Sequence, residues 1–177
     1  MEIEAKYRVT DEQYDTIRLA LYESMGPPRV EDQRDEYFID STKSYVARIR
    51  NSYDDHILTV KNIIPPSEIK IRIEEETEIG SEQAMIRILE TLGFEHLGTV
   101  IKHRCGWLYS VTDPGPCHTI CLDDVEGLGK FLEIELNKYA VVDSAADAIR
   151  SIIQSLNVTD LEPVSNSYIA LQLQRSK

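Results

Sequence analysis

Residues 1–9 read MEIEAKYRV. Glu2, Glu4, Lys6 and Arg8 occupy every second position, and Ile3, Ala5 and Tyr7 stand between them. Successive side chains of a strand point to opposite faces, so this stretch predicts a strand with one ionic and one apolar side. Water against the ionic side is the simplest account of one such row. The rest of the chain decides whether that account holds.

The pattern recurs. Arg48 and Arg50 share a face, with Ala47 and Ile49 opposite. Lys70, Arg72, Glu74, Glu76 and Glu78 alternate with Ile69, Ile71, Ile73 and Ile79, broken by Glu75 and Thr77. Lys102 and Arg104 lie opposite Ile101, and Glu133 and Glu135 opposite Leu132, Ile134 and Leu136. Lys61 and Asp123 stand more alone. Strands are expected at 2–9, 33–40, 45–52, 56–62, 69–79, 97–111 (as one or two), 118–125 and 130–137.

Helices fall between them. Thr10 and Gln13 make a capping box ahead of the stripe Tyr14, Ile17, Leu21 and Met25, and Gly26-Pro27-Pro28 stops it. Ser81 opens a second helix carrying Met85, Ile88, Leu89 and Leu92, closed by Gly93. Ser144 and Asp147 cap a third, whose face is Ala145, Ala148, Ile149, Ile152, Ile153 and Leu156. A short helix starts near Asn166. Pro65-Pro66 and Asp113-Pro114-Gly115-Pro116 mark a loop and a turn.

About eight strands with helices interspersed irregularly predict an α+β fold, mainly antiparallel, with the helices outside. The helices need an apolar surface to cover, and the Ile, Leu and Val faces supply it. Eight strands are also enough to close a β-barrel, which removes exposed edges. The ionic rows then point inward. Stripping such ions of water costs several kcal/mol each unless they are paired or bind something. The expectation is therefore a closed eight-stranded antiparallel β-barrel with a wet interior made for a charged guest. Arg and Lys grip phosphate oxygens, and carboxylates hold hard divalent cations. Together they suit a metal–polyphosphate complex, with Glu2 and Glu4 as metal ligands and Lys6 on phosphate.

The 177 residues, 42% apolar and 28% charged, suit one domain spanning 1–177. The net charge of −12, from 31 acids and 19 bases, argues against a coat for duplex nucleic acid and leaves room for a local basic pocket. No apolar run is long enough to span a bilayer and no signal-like start is present, so a cytoplasmic protein without a membrane partner is expected. Cys105, Cys117 and Cys121 form no CxxC pair. Cys117 and Cys121 with His118 and His103 match no common zinc spacing, so reduced, packed cysteines are expected.

Read in order, the motifs resemble the CYTH superfamily, the triphosphate tunnel metalloenzymes. They are Glu2-x-Glu4-x-Lys6, QRDEYFID (33–40), ARIR (47–50), LTVK (58–61), Arg72-x-Glu74-x-Glu76, VIKHR (100–104) and LDDVEGLGKFLEIE (122–135). The arrangement is most similar to the class IV adenylyl cyclase branch and covers residues 1 to about 173. The resemblance implies a closed eight-stranded barrel with a polar tunnel and Mg²⁺ or Mn²⁺ as cofactor. It implies Glu2, Glu4 and Glu133 as metal ligands, with Glu135, Glu76 and Asp123 contributing. It implies Lys6, Arg48, Arg50, Lys61, Arg72, Lys102 and Arg104 as phosphate-binding residues, and Lys6, Glu4 and Glu133 as the residues nearest the chemistry.

The implied substrate is a triphosphate-bearing small molecule: ATP, tripolyphosphate or thiamine triphosphate. A cyclase and a triphosphatase use the same tunnel, and one sequence does not separate them. Lys6, among other cations, is a candidate for a lowered pKa and a base role, while Glu2 and Glu4 push the other way. The rival readings are a non-catalytic nucleotide- or polyphosphate-binding module and a lipocalin-like carrier, whose cavity should be apolar. A homodimer is plausible on general grounds. Tyr37 and Tyr168 read as base-stacking or as core residues, core being the commoner use.

Overall fold

The structure, a computed structural model, describes residues 2–53, 55–63, 67–72, 74–110, 117–136 and 145–175. The strands are β1 (Glu2–Val9), β2 (Arg29–Asp40), β3 (Tyr45–Ser52), β4 (Asp55–Asn62), β5 (Ile69–Arg72), β6 (Glu74–Glu78), β7 (Phe94–Ser110), β8 (Cys117–Val125), β9 (Gly129–Leu136) and β10 (Glu162–Pro163). The helices are α1 (Asp11–Met25), α2 (Glu82–Thr91), α3 (Ala145–Ser155) and α4 (Tyr168–Arg175). The fold is α+β, built on one large antiparallel sheet. The loop at Pro65-Pro66, the turn at 113–116 and the Ser144 cap lie outside the described residues.

The closed eight-stranded barrel needs correcting on both counts. Among the described residues the hydrogen-bonded path runs β10-β1-β9-β8-β7-β2-β3-β4-β6, which is nine strands, with β5 attached off it to β1. The path does not close on itself. The reason is local: the single strand expected at 69–79 divides between two partners. Its first part pairs with β1, Glu2 opposite Arg72 and Ala5 opposite Ile69. Its second part pairs with β4, Lys61 opposite Glu74 and Ile57 opposite Glu78. Ile73, between the two, lies outside the described residues. β10 is the other addition, two residues paired with Tyr7 and Arg8 and too short to show an alternation.

The two faces of the sheet do different jobs. On the outer face Ile3, Ala5, Tyr7, Ile120, Leu122, Leu132, Ile134 and Leu136 pack under α1 (Tyr14, Ile17, Leu21) and α3 (Ile149, Ile152, Leu156). Each fully buried aliphatic side chain contributes roughly 1.5–3 kcal/mol. A second outer cluster joins Phe38, Ala47 and Ile49 to Leu89 of α2. The apolar stripe expected on α2 is only partly used, since Ile88 and Leu92 stay exposed. The inner face carries the ionic rows and, at one end, a third cluster of Tyr37, Val100, Val125, Phe131, Tyr168 and Ile169. Tyr168 and Ile169 belong to α4, so the C-terminal helix packs into the concave side of the sheet.

Capping follows the sequence where it is described. Gln13 N–H donates to Thr10 Oγ1 and Thr10 N–H to Gln13 Oε1, closing the box on α1. Gly26, at φ +82°, ends that helix, and its carbonyl accepts from Trp107 Nε1 at 3.0 Å, tying α1 to β7. Among the described residues no helix is long and apolar enough to cross a membrane.

Candidate active site

Alternation and register bring the ionic rows together. On β1 and β9, Lys6 faces Glu133 and Glu4 faces Glu135. On β7 and β8, Arg104 faces Asp123, and on β2 and β3, Asp35 faces Arg50. These strands curve around one cavity of about 870 Å³. Glu4, Lys6, Arg48, Arg50, Lys61, Glu76, Lys102, Arg104, Glu133 and Glu135 all line it. Asp123 is fully buried beneath them. The register sets Glu2 opposite Arg72, and the side chains of both lie outside the described residues.

Each cation is held by a carboxylate. Arg104 forms a fork with Asp123, donating at 2.7 Å and 2.6 Å, and also reaches Glu133. Arg50 forms a second fork with Asp35 at 2.8 Å and 2.9 Å. Lys6 Nζ lies 2.9 Å from Glu133. Lys102 Nζ stands between the two forks, 3.6 Å from Asp35 and 3.9 Å from Asp123. Arg48 donates to Thr59, which donates to Glu76, both at 3.0 Å. Lys61 bonds Glu74 at 2.6 Å. Bidentate pairs of this kind fix orientation as well as charge.

The local fields differ from residue to residue. Burial alone would lower the Lys6 pKa, but Glu133 and Glu4 outweigh it and hold Lys6 above its ordinary value. The lowered pKa considered for Lys6 belongs instead to Lys102. Burial, with Arg104 and Arg50 beside it, brings Lys102 down to about 8 against the pull of Asp123 and Asp35. Glu133 is held well below the carboxylate range, because Lys6, Arg104 and Lys102 overcome its burial. Glu135 goes the other way: burial and the charges of Glu133 and Glu4 push it up.

That last shift bears on the metal. Glu4 and Glu135 are directly opposite on neighbouring strands, and like charges so placed repel. Among the described residues no three His, Cys, Asp or Glu side chains are grouped to hold a metal ion; Glu4 and Glu135 supply one opposed acidic pair, which a hard cation would relieve. Glu133 adjoins this pair, with its oxygens on Lys6 and Arg104. Asp123 is engaged by Arg104 and by the Tyr168 hydroxyl, which donates to it at 2.9 Å.

Sequence reasoning gave no role in the site to Asp35 or Thr59, and left Tyr168 between two readings. Asp35 is fully buried and orients Arg50 and Lys102. Its signal lay in the hairpin register, which sets it opposite Arg50. Thr59 relays between Arg48 and Glu76. Tyr168 takes the core reading: it is buried in the inner cluster, with its hydroxyl on Asp123. Its ring lies under Lys6, 3.8 Å from Nζ, near Lys102 at 5.3 Å, and edge-on to Phe131. Nothing in the local sequence gives that position, which depends on where α4 docks.

A model of the CYTH domain matches residues 1–168. The chain belongs to the CYTH domain family. The kinship expected from the motifs, and with it an enzyme of the CYTH type, is borne out. Among CYTH relatives, the chain is 28% identical over 147 residues to a Methanocaldococcus jannaschii protein named "Putative adenylate cyclase MJ0240", covering 79% of this chain and 81% of that one. The PH1819 protein of Pyrococcus horikoshii OT3 has the same architecture, at 30% identity and TM-score 0.78 over 99% of both chains. HpAC1 from Hippeastrum, named "Putative adenylyl cyclase" with "a dominant" triphosphatase activity, aligns with TM-score 0.71 over 99% of this chain and 96% of that one. At 17% identity that likeness is one of fold alone.

Proposed function

We propose that this CYTH protein is a divalent-metal-dependent enzyme of phosphoryl or nucleotidyl transfer, acting on a triphosphate held in the 870 Å³ cavity. One observation carries the reading: an acidic pair, Glu4 opposite Glu135, and a dense set of oriented cations line the same space. Lys6, Arg48, Arg50, Lys61, Lys102 and Arg104, with Arg72 from the sequence, are the phosphate-binding residues. Glu4 and Glu135 would hold Mg²⁺ or Mn²⁺, with Glu133, Glu2, Glu76 and Asp123 as the further carboxylates that the family resemblance implies. A bound cation supplies Lewis-acid neutralisation of phosphate oxygens.

The chain's own residues do the positioning, which is most of what phosphoryl transfer asks of a protein. The Arg50–Asp35 and Arg104–Asp123 forks fix two guanidinium planes before substrate arrives. Lys102 adds a point charge between them, and Lys6 one beside Glu133. Burial keeps bulk water from screening these contacts. In the adenylyl cyclase reading, the ribose 3′-oxygen attacks the α-phosphorus, the bond to the bridging oxygen breaks, and pyrophosphate leaves. The name of the M. jannaschii relative favours this reading. In the hydrolytic reading, water attacks the terminal phosphorus and orthophosphate leaves. The activity in the name of the Hippeastrum homologue keeps it as the second reading.

The test is incubation with ATP, tripolyphosphate or thiamine triphosphate and Mg²⁺ or Mn²⁺, followed by product analysis. Cyclic AMP with pyrophosphate supports the cyclase, and orthophosphate supports the triphosphatase. A protein that binds all three, is stabilised by them and turns over none would instead be the binding module.

A further inference from the structure

One buried acid lies outside the cavity. Glu36 follows Asp35 on β2, so its side chain points to the outer face, where it stands opposite Ile49 and next to the cluster under α2. It is only 5% exposed. Burying a carboxylate beside apolar side chains is costly unless its oxygens are bonded. Both are. Oε1 accepts from Arg34, which also donates to Glu82, at the start of α2, at 2.8 Å. Oε2 lies 2.6 Å from His96 Nε2 and accepts from Thr99 Oγ1 at 2.9 Å.

His96 and Thr99 flank a break in β7. Tyr37 pairs with Gly98 and Phe38 with His96, so Leu97 is an extra residue. A β-bulge of this kind bends the strand and re-aims side chains, and bulges are frequent beside active sites. A single oxygen of Glu36 therefore clamps the bulge from both sides. His96 is fixed a second time by its edge-on contact with Phe38, at 5.2 Å between ring centres.

On the inner face the bulge receives α4, which packs chiefly on β7. Gly98, at φ +150°, lets the helix come close: a Cβ there would lie 2.9 Å from Ile169 Cδ1. Leu97 packs against the same inner cluster. Tyr168 is the neighbour of Ile169, so the depth at which α4 settles on the bulge sets Tyr168 as well. Its ring holds Lys6, and its hydroxyl holds Asp123, the acid of the Arg104 fork. Resting on the phosphate reading above, we infer that Glu36, though outside the cavity, is a positioning residue for phosphate binding. It acts through the bulge and α4 on the bond from Tyr168 to Asp123, and so on Arg104.

Titration calorimetry with tripolyphosphate in EDTA, which prevents metal-dependent turnover, tests this. Glu36→Met keeps the bulk of the side chain and removes both acceptor oxygens. It should weaken binding by about fivefold, the worth of one hydrogen bond. Glu36→Gln, which keeps one acceptor oxygen, should stay within twofold of the wild-type Kd. In a Tyr168→Phe background Glu36→Met should cost less than twofold further, because effects that share one path do not add. Thr10→Ala, which removes the α1 cap, should leave the Kd within twofold and so separates positioning from loss of stability. Thr99→Val, which removes one of the two clamping donors at constant volume, should weaken binding in the same direction and serves if Glu36→Met does not fold. Unchanged affinity in Glu36→Met, or in Thr99→Val in its place, would overturn the inference while leaving phosphate binding intact. So would a full fivefold loss in the Tyr168→Phe background, or an equal loss in Thr10→Ala. Failure of the wild type to bind tripolyphosphate would overturn the phosphate reading and the inference with it.

Discussion

Asp35, inside the QRDEYFID motif, anchors two cations of the cavity. It is fully buried, and Arg50 and Lys102 depend on it for their positions. Removing one partner of a buried pair leaves an uncompensated charge, so Asp35→Asn should cost about 3–5 kcal/mol in urea unfolding. The pH dependence has a definite sign. Burial would raise its pKa, but Arg50 and Lys102 hold it far below the ordinary 3.8. Its contribution is therefore fully present above the unfolded value near 4 and is lost as the pH falls below it. Stability measured from pH 6 to 2 should drop steeply in the wild type and less steeply in Asp35→Asn. Tyr168→Phe keeps the ring under Lys6 and loses the hydroxyl bond to Asp123. Hydrogen bonds to charged groups are worth roughly 1.5–3 kcal/mol, so the unfolding free energy should fall by about that much. The residues that repeat on alternate strand positions, such as Lys6, Arg50 and Glu133, were legible because period two declares a face. Asp35 and Tyr168 were not, since their roles arise from pairing across a hairpin and from helix docking.

At the level of elements, the strands and helix starts were largely readable and the joins were not. Thr10 and Gln13 predicted the α1 cap that the structure shows, and Thr10→Ala should lower stability by about 1 kcal/mol in thermal or urea unfolding. The division of 69–78 into β5 and β6 was hidden because its alternation fits one strand as well as two. The Leu97 bulge was hidden for the converse reason: an extra residue looks like an imperfection in the pattern until the partner strand is known. The β1–β9 pair carries its own prediction. Glu4 and Glu135 repel in metal-free protein, so Glu135→Gln should be neutral or stabilising there by up to about 1 kcal/mol. The same variant should lose most of the melting-temperature gain that Mn²⁺ gives the wild type. A large loss of stability in EDTA would mean that the Glu135 carboxylate has a partner already.

Across the whole molecule, net charge and site charge diverge. The chain carries −12 overall, yet its cavity gathers Lys6, Arg48, Arg50, Lys102 and Arg104 within a lining that also holds acids. The expected placing of the helices outside holds for α1, α2 and α3 and fails for α4, which packs inside; ions inside still reverse the usual arrangement of a one-sided sheet, and the apolar outer faces of β1, β8 and β9 under α1 and α3 make that reversal possible. The measurement that tests this most directly is anomalous diffraction from crystals soaked with Mn²⁺ and tripolyphosphate. The account predicts a manganese peak beside Glu4 and Glu135, with phosphate oxygens on Lys6, Arg50, Lys102 and Arg104. Manganese and phosphate bound on the outer surface, with the cavity holding neither, would contradict it.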